Sequence, residues 1–272
     1  MPHEFDPGYG KAPYDQLCRD CPDEVVYPYQ DFRYEWGPIF HRGRLDGTSR
    51  VLVIGQDPAQ SETIARRILV GTAGHRFQGF LFKLGIDRSY TLINTFLYSV
   101  YGQQGGTKHQ KDAGIIAYRN QWIKAILSNN GIEAVIALGT LADGAWQAWT
   151  KTPESKAFKP AYAHITHPTQ PEEASKGDKT KQAQLMQLML LNWNAALTSL
   201  KPQIKHPDAV RALVPYSAAF LPGELVEIPE ADMPAGTPAW MRSATSWASR
   251  TGNSPQLKRA TIAVTVPAAF RK

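Results

Sequence analysis

Apolar residues along this chain fall into two alternating patterns. Short apolar stretches occur in VLVI at 51–54, around Leu92 and Ile93 in SYTLINTFLYSV, in EAVIAL at 133–138 and in AYAHIT at 161–166. Stretches of strand length without strict in/out alternation suit strands covered on both faces, as in a parallel sheet. Between them the spacing becomes helical. Phe77, Phe80, Leu81 and Leu84 share a face ahead of Gly85, which is placed to end a helix. Residues 114–128 carry Ile115, Ile116, Trp122, Ile123, Ile126 and Leu127 on one side, before Asn130-Gly131. LADGAWQAW at 141–149 reads as helical. KQAQLMQLMLLNWNAAL at 181–197, with Leu185, Leu188, Met189 and Trp193, is predicted to close the domain near residue 200. Four strands separated by helices and joined by right-handed crossovers predict an α/β fold, a three-layer α/β/α sandwich around a four-stranded parallel sheet.

Each predicted strand stops at polar residues. After the first, Gly55 permits a tight turn, Gln56 and Asp57 follow, and Pro58 suits the first turn of a helix. The second ends at Asn94 and Thr95, the third at Gly139 and Thr140, the fourth at His167, Pro168 and Thr169. In open α/β sheets ligands bind along the carboxyl edge of the strands, and backbone N–H groups at the helix start after Gly139 can hold a phosphate. A plainer reading stands beside this one, in which Asp57 and Thr140 simply cap the helices that follow them. The basic, Gly-rich stretch YGQQGGTKHQKD reads as a loop and lacks the G-x-x-x-x-G-K-[ST] order of a P-loop.

The flanks differ from the sandwich predicted over 50–200. Residues 1–49 are rich in Pro, Tyr and charge, and Tyr27, Tyr29, Phe32, Tyr34 and Trp36 are expected to pack on the core, stacking on bases being the less common use of such residues. In residues 201–272, nine of the chain's 20 prolines accompany a charge balance of 9 − 5 = +4, against 21 − 19 = +2 before them. With so little helical periodicity, partial disorder is expected there. The exception is PAWMRSATSWASR, whose Trp240, Met241 and Trp247 are expected to dock on the domain or on DNA. Overall, 43% hydrophobic and 20% charged residues describe a soluble globular protein, and a net charge of +6 with pI near 9.2 points to a polyanionic partner. MPHEFDPGYGK lacks the apolar centre of a signal peptide, and no uncharged apolar run reaches membrane-spanning length, so a cytoplasmic protein without membrane attachment is expected. Cys18 and Cys21, the chain's two cysteines, have the C-x-x-C spacing of a redox pair or of half a metal site; no others complete four thiolates, a mixed site would need His3, His41 or another distant imidazole, and free thiols are expected.

Four signatures occur in order at the strand ends: Gly55-Gln56-Asp57-Pro58, Gly71-Thr72-Ala73-Gly74 ahead of a helix, Asn94 closing LIN, and His167-Pro168-Thr169. Together they resemble the uracil-DNA glycosylase superfamily over about residues 50–200. GQDP looks like the mitochondrial and bacterial enzymes of the first family. LVGTAG looks like the PFVGxAG stretch of the iron–sulfur family, whose two N-terminal cluster cysteines match Cys18 and Cys21. The third ligand of that family follows the position of Asn94 by four residues and is Tyr98 here, and a fourth is absent. A cluster held by four thiolates is thereby excluded, and no metal or cofactor is expected.

The resemblance implies a monofunctional, monomeric DNA repair enzyme that hydrolyses the N-glycosidic bond of uracil in single- or double-stranded DNA and leaves an abasic site, as in base excision repair. Asp57 would stabilise the cationic sugar and position or deprotonate the water. His167 would donate to uracil O2 as charge develops there. Asn94 would read N3–H and O4, a pattern that cytosine reverses, while Gln56 would line the pocket with its backbone. A flipped base would stack on Phe77, the better stacker, or on Leu69, which holds the phenylalanine position of PFVG. Pro58, Gly139, Thr140, Pro168, Thr169, Gln170 and Pro171 would contact DNA.

Two departures stand out. The first family follows GQDP with a tyrosine that blocks the 5-methyl of thymine and then a histidine; here they are Ala59 and Gln60. Either another side chain fills that space or discrimination against thymine is relaxed. The leucine wedge of that family is replaced by Pro171, beside Glu172 and Glu173. The alternative function is a DNA module that recognises uracil or abasic sites with slow or lost turnover; a nucleotide-binding α/β protein unrelated to repair is a third.

Overall fold

Strand residues with period-two alternation face two separate cores, and that division sets the layers of the molecule, which a computed structural model describes over residues 4–271. In chain order, α1 (Tyr14–Arg19), β1 (Arg42–Gly43), β2 (Val51–Gly55), α2 (Gln60–Ala65), α3 (Thr72–Leu84) and β3 (Tyr90–Asn94) come first. Then follow α4 (Gly102–His109), α5 (Ala113–Asn129), β4 (Ala134–Leu138), α6 (Thr140–Thr150), β5 (Ala161–Ile165), α7 (Gln170–Ser175) and α8 (Lys179–Leu200). Leu52, Ile54, Ile93 and Val135 pack on one side against Trp122 and Ile126 of α5 and Trp146 and Trp149 of α6. Val51, Val53, Leu92 and Ile136 pack on the other against Phe80 and Leu84 of α3 and Leu190, Trp193 and Leu197 of α8. The result is the three-layer sandwich.

The sheet runs β1-β3-β2-β4-β5, with β2 to β5 parallel and β1 antiparallel to β3. The four parallel strands match the expectation; the fifth strand is an addition. It has no apolar signature because it is two residues long, opens on an arginine, and closes on Gly43, where a Cβ would collide with the Tyr90 carbonyl. Two more differences concern helices. The stretch expected as a loop after Tyr101 forms α4, ending at His109, whose Nε2 meets Asp31 Oδ2 at 3.0 Å and whose Nδ1 meets Asp112 Oδ2 at 2.5 Å. On α8 the buried stripe is Met189, Leu190, Trp193, Leu197 and Leu200, whereas Leu188 is 62% exposed, so the packed face is rotated from the predicted one.

Residues after α8 contain little regular structure, and individual side chains tie them to the sandwich. Asp208 Oδ2 accepts the N–H groups of Asp87, Arg88 and Ser89 at 2.7, 2.8 and 2.9 Å. The Asn194 amide brackets the Tyr216 backbone with two hydrogen bonds. Asp232, fully buried, accepts from Arg42 Nη1 at 2.9 Å and also from Arg44 and the Tyr90 hydroxyl. Ile228, Met233, Trp247 and Ala248 form a third small core with Ala65 and Val70. A hairpin of β6 (Ala248–Arg250) and β7 (Ile262–Val264) encloses α9 (Pro255–Ala260). Contacts of this kind leave no periodicity in the sequence, which is why disorder was the expectation there. At the other end, Tyr27 and Phe32 are fully buried in the first core, while Tyr29 is exposed. Among the described residues no helix is long and apolar enough to cross a membrane.

Candidate active site

Gly55 ends β2 because Asn94 Oδ1 occupies the place where a Cβ would stand. Beyond it the two strand ends stay zipped: Thr95 N–H donates to the Gly55 carbonyl and Phe96 N–H to that of Gln56, both at 2.9 Å. This register carries the chain round so that Val100 N–H donates to Asp57 Oδ2 at 3.0 Å. Burial raises the Asp57 carboxyl to about 6 despite the opposing pull of that N–H, of the Gln56 amide and of the Arg33 guanidinium; Glu62 adds to the rise.

His167 follows β5 and lines the same cleft, about 430 Å³ in volume. The turn from β4 into α6 runs close to it, and Gly139, at φ +84°, makes that possible: a Cβ there would stand 3.1 Å from His167 Cβ. Burial alone lowers the imidazole to about 4, so the ring is neutral at ordinary pH. Thr169 N–H points at His167 Nδ1 at 3.4 Å. An amide cannot surrender its proton, so Nδ1 accepts and Nε2 carries the hydrogen. The Thr169 hydroxyl lies 3.1 Å from the same Nδ1 and 3.0 Å from Glu173 Oε1, two acceptors that share its one proton.

Glu62 was not singled out from the sequence, yet it organises one wall. Its Oε2 accepts Ala59 N–H at 3.1 Å, and its Oε1 accepts Val70 N–H at 3.0 Å and Gly71 N–H at 3.1 Å. One carboxylate thus holds the turn after Asp57 against the turn before α3. The spacing of Ala59 and Glu62 is that of the returning half of a capping box, a signal available in the sequence. Leu69 is held with φ at +53°, a left-handed backbone, and Gly74 is required because a Cβ there would run into the Leu69 carbonyl.

Of the predicted site residues, Gln56, Asp57, Pro58, Ala59, Leu69, His167 and Thr169 line the cleft. Others do not. Phe77 is fully buried in the second core, stacked on Phe80 at 5.5 Å, and cannot receive a base from the cleft, so of the two expected stackers Leu69 is the one in place. Asn94, buried at the end of β3 with its Oδ1 against Gly55, lines a small cavity with Arg119, Tyr118 and Trp122 and is not among the residues that line the cleft in which it was expected to read a base. Pro171 is buried in the first turn of α7 and is not placed as a wedge. Pro168 is buried, its carbonyl taken by Arg76 Nη1 at 2.5 Å. Gly139, Thr140 and Gln170 lie on the same sheet edge outside the cleft lining. Trp247, expected to dock on the domain or on DNA, lines the cleft together with Ser243, Thr245, Ser246 and Arg250, polar residues that carry no periodic signal to place them there.

The cysteines stand apart from this chemistry. Cys21 Sγ is 3.6 Å from the Tyr98 hydroxyl, which donates to the Pro22 carbonyl. Burial pushes both thiols up, Cys18 to about 12, so both are protonated. Two thiols with a phenol beside them supply too few sulfur ligands for a four-thiolate iron–sulfur cluster, and no group of three or more His, Cys, Asp or Glu among the described residues could hold a metal.

The family described as the Uracil DNA glycosylase superfamily has a sequence model that matches residues 42–194, more than half of the chain. A comparison with curated proteins gives no match. The matched span runs from β1 into α8 and takes in Asp57, Glu62, Leu69 and His167, while residues 243–250 add a further wall from outside it: the chain belongs to the uracil DNA glycosylase superfamily.

Proposed function

We propose that this protein hydrolyses the N-glycosidic bond of uracil in DNA and releases it as the free base, leaving an abasic site. Superfamily membership supports the coarser part, a DNA glycosylase of the hydrolase class that acts on DNA. The finer part rests on one observation: Asp57 and His167 line a single cleft with their protonation shifted in the directions this chemistry needs.

Cleavage develops positive charge on the sugar and negative charge on the departing base. Above about pH 6 Asp57 is an anion in a poorly hydrated site, where it acts on the cationic sugar and on the attacking water with little screening. His167 is neutral and presents Nε2–H, a donor to the base oxygen that gains charge. With Ala59 small and exposed, base discrimination falls to the walls around Leu69 and Gln56, with Asn94 buried against Gly55 beside them, and a relaxed barrier to thymine follows from the same arrangement.

The test uses labelled oligonucleotides containing uracil, single- and double-stranded, followed by alkaline cleavage of abasic sites. Release by the wild type, lost in Asp57→Asn and His167→Ala, is the expected result. Tight DNA binding without release by the wild type would replace this reading with a lesion-binding module. A T:G duplex, cleaved by the wild type and spared by Ala59→Tyr, tests the relaxed barrier.

A further inference from the structure

Residues 243–272 carry five Lys and Arg and none of the chain's Asp and Glu, and so hold +5 of the net +6. This stretch is fixed beside the chemistry. Trp247 and Ala248 are buried against Ala65 and Val70, the Trp247 indole N–H donates to the Met241 carbonyl at 3.1 Å, and Ser243, Thr245, Ser246 and Arg250 face the cleft that holds Asp57 and His167.

Its cations are exposed and lack acidic partners. Among the described residues, Arg250, Lys258 and Arg259 form no ion pair with an Asp or Glu. The Arg259 guanidinium lies over the Tyr101 ring at 4.2 Å, and Arg33 lies over the same ring at 4.6 Å. Arg250 acts on Arg33 with like charge. Two guanidinium groups therefore share one aromatic ring, and a third, Arg250, lines the cleft near enough to Arg33 to act on it. Glu35, which accepts from the Tyr101 hydroxyl at 2.7 Å, and Asp57 act on Arg33, whereas the exposed arms of Arg250 and Lys258 have no carboxylate of their own among the described residues and leave room for an extended polyanion.

We propose that residues 243–271 form a backbone grip for DNA on the cleft rim, with Arg250 and Lys258 taking phosphates next to the target nucleotide. The inference rests on the glycosylase reading above and adds a partner surface outside residues 42–194, the span matched by the superfamily. Phosphate contacts of this kind position a strand without reading its sequence. They also release counterions, which makes their number measurable from the salt dependence of binding, at a slope of about 0.9 per contact on duplex and 0.7 on single strands.

The experiment measures fluorescence anisotropy of a uracil-free oligonucleotide, single-stranded and duplex, between 50 and 200 mM salt, so that turnover does not enter. For the Arg250→Gln/Lys258→Gln double variant the slope should shrink by about 1.4 to 1.8, so that its loss of affinity is about 7- to 12-fold larger at 50 mM than at 200 mM salt. Arg250→Lys should keep the wild-type slope. Lys151→Gln/Lys156→Gln, which follows α6 on the opposite edge of the sheet, should also keep it. A double variant with the wild-type slope, or a control pair with an equal effect, overturns the grip and leaves the glycosylase reading intact. A wild type that does not bind DNA overturns both. Thermal melts of each variant exclude misfolding as the cause of a lost slope.

Discussion

Asp57→Asn should make the folded protein more stable while removing its activity. Ionising Asp57 inside the protein is unfavourable, because its carboxyl is raised from 3.8 to about 6, chiefly by burial. The folded state therefore binds this proton more tightly than the unfolded chain does. Below both values the two states are equally protonated and the residue contributes nothing; as pH rises through the window from 3.8 to about 6 the penalty grows, and above it the penalty is full. At 1.36 kcal/mol per pH unit the full value is about 3 kcal/mol, and at pH 4 about 0.5 kcal/mol is left. Asparagine retains an oxygen to accept Val100 N–H and carries no charge, so it recovers most of this energy. Urea unfolding of wild type and variant at pH 4 and pH 7.5 measures the difference directly; in a melt at pH 7.5 it corresponds to roughly 5–10 °C. Uracil release should fall about 10²- to 10⁴-fold. An Asp57→Asn protein no more stable than the wild type at pH 7.5, or one stabilised equally at both pH values, would show that burial does not penalise this carboxylate.

Other outcomes follow from the same geometry. Single-turnover release should rise about tenfold per pH unit below about 6 and level off above it. It should show no descending limb near 6.5, because His167 is already neutral with its value lowered to about 4. His167→Ala should slow the chemical step about 10²- to 10³-fold with little change in DNA affinity, measured by comparing saturating rates with anisotropy. Glu62→Ala strands three backbone N–H groups, so it should cost about 2–4 kcal/mol in urea unfolding and lower activity together, whereas Glu62→Gln, keeping one oxygen, should recover part of both. Asp232→Ala leaves two buried guanidinium groups without their carboxylate and should cost about 3–5 kcal/mol, read in the same way.

The layers and the four parallel strands were legible because burial on both faces writes itself into the chain as unbroken apolar stretches, and VLVI at 51–54 is fully buried as read, whereas the order of the strands in the sheet was not read. Asp57 and His167 were legible through the strand-end signatures that resemble the superfamily, because strand-end polarity alone points equally to Asn94 and Thr140, which do not line the cleft. What failed to show has physical reasons. Phe77 and Leu69 are both apolar and near the same turn, and only the left-handed backbone at Leu69 turns that residue to the cleft while the helical phase of α3 sends Phe77 inward. Leu188 and Leu191 carry the same side chain as Leu190, yet both are exposed, so hydrophobicity alone misplaced the face of α8. Strand β1 is tied down by a single polar contact over a long sequence distance, and the cleft wall at 243–250 by two buried side chains in an irregular segment, and neither has a period to detect.

The buried carboxylate of Asp232 also has a bearing on how the chain is made. It lies 190 residues beyond Arg42, the edge-strand side chain it neutralises. At translation rates of about 5–20 residues per second, roughly 10–40 seconds separate the emergence of the two from the ribosome. Throughout that interval Arg42 and Arg44 cannot be buried without leaving a charge unmatched, so the outer edge at β3 stays open and able to pair with a strand of another nascent chain. A stop codon anywhere between residues 201 and 231 would retain every residue matched to the superfamily and still yield a sheet that cannot close its edge.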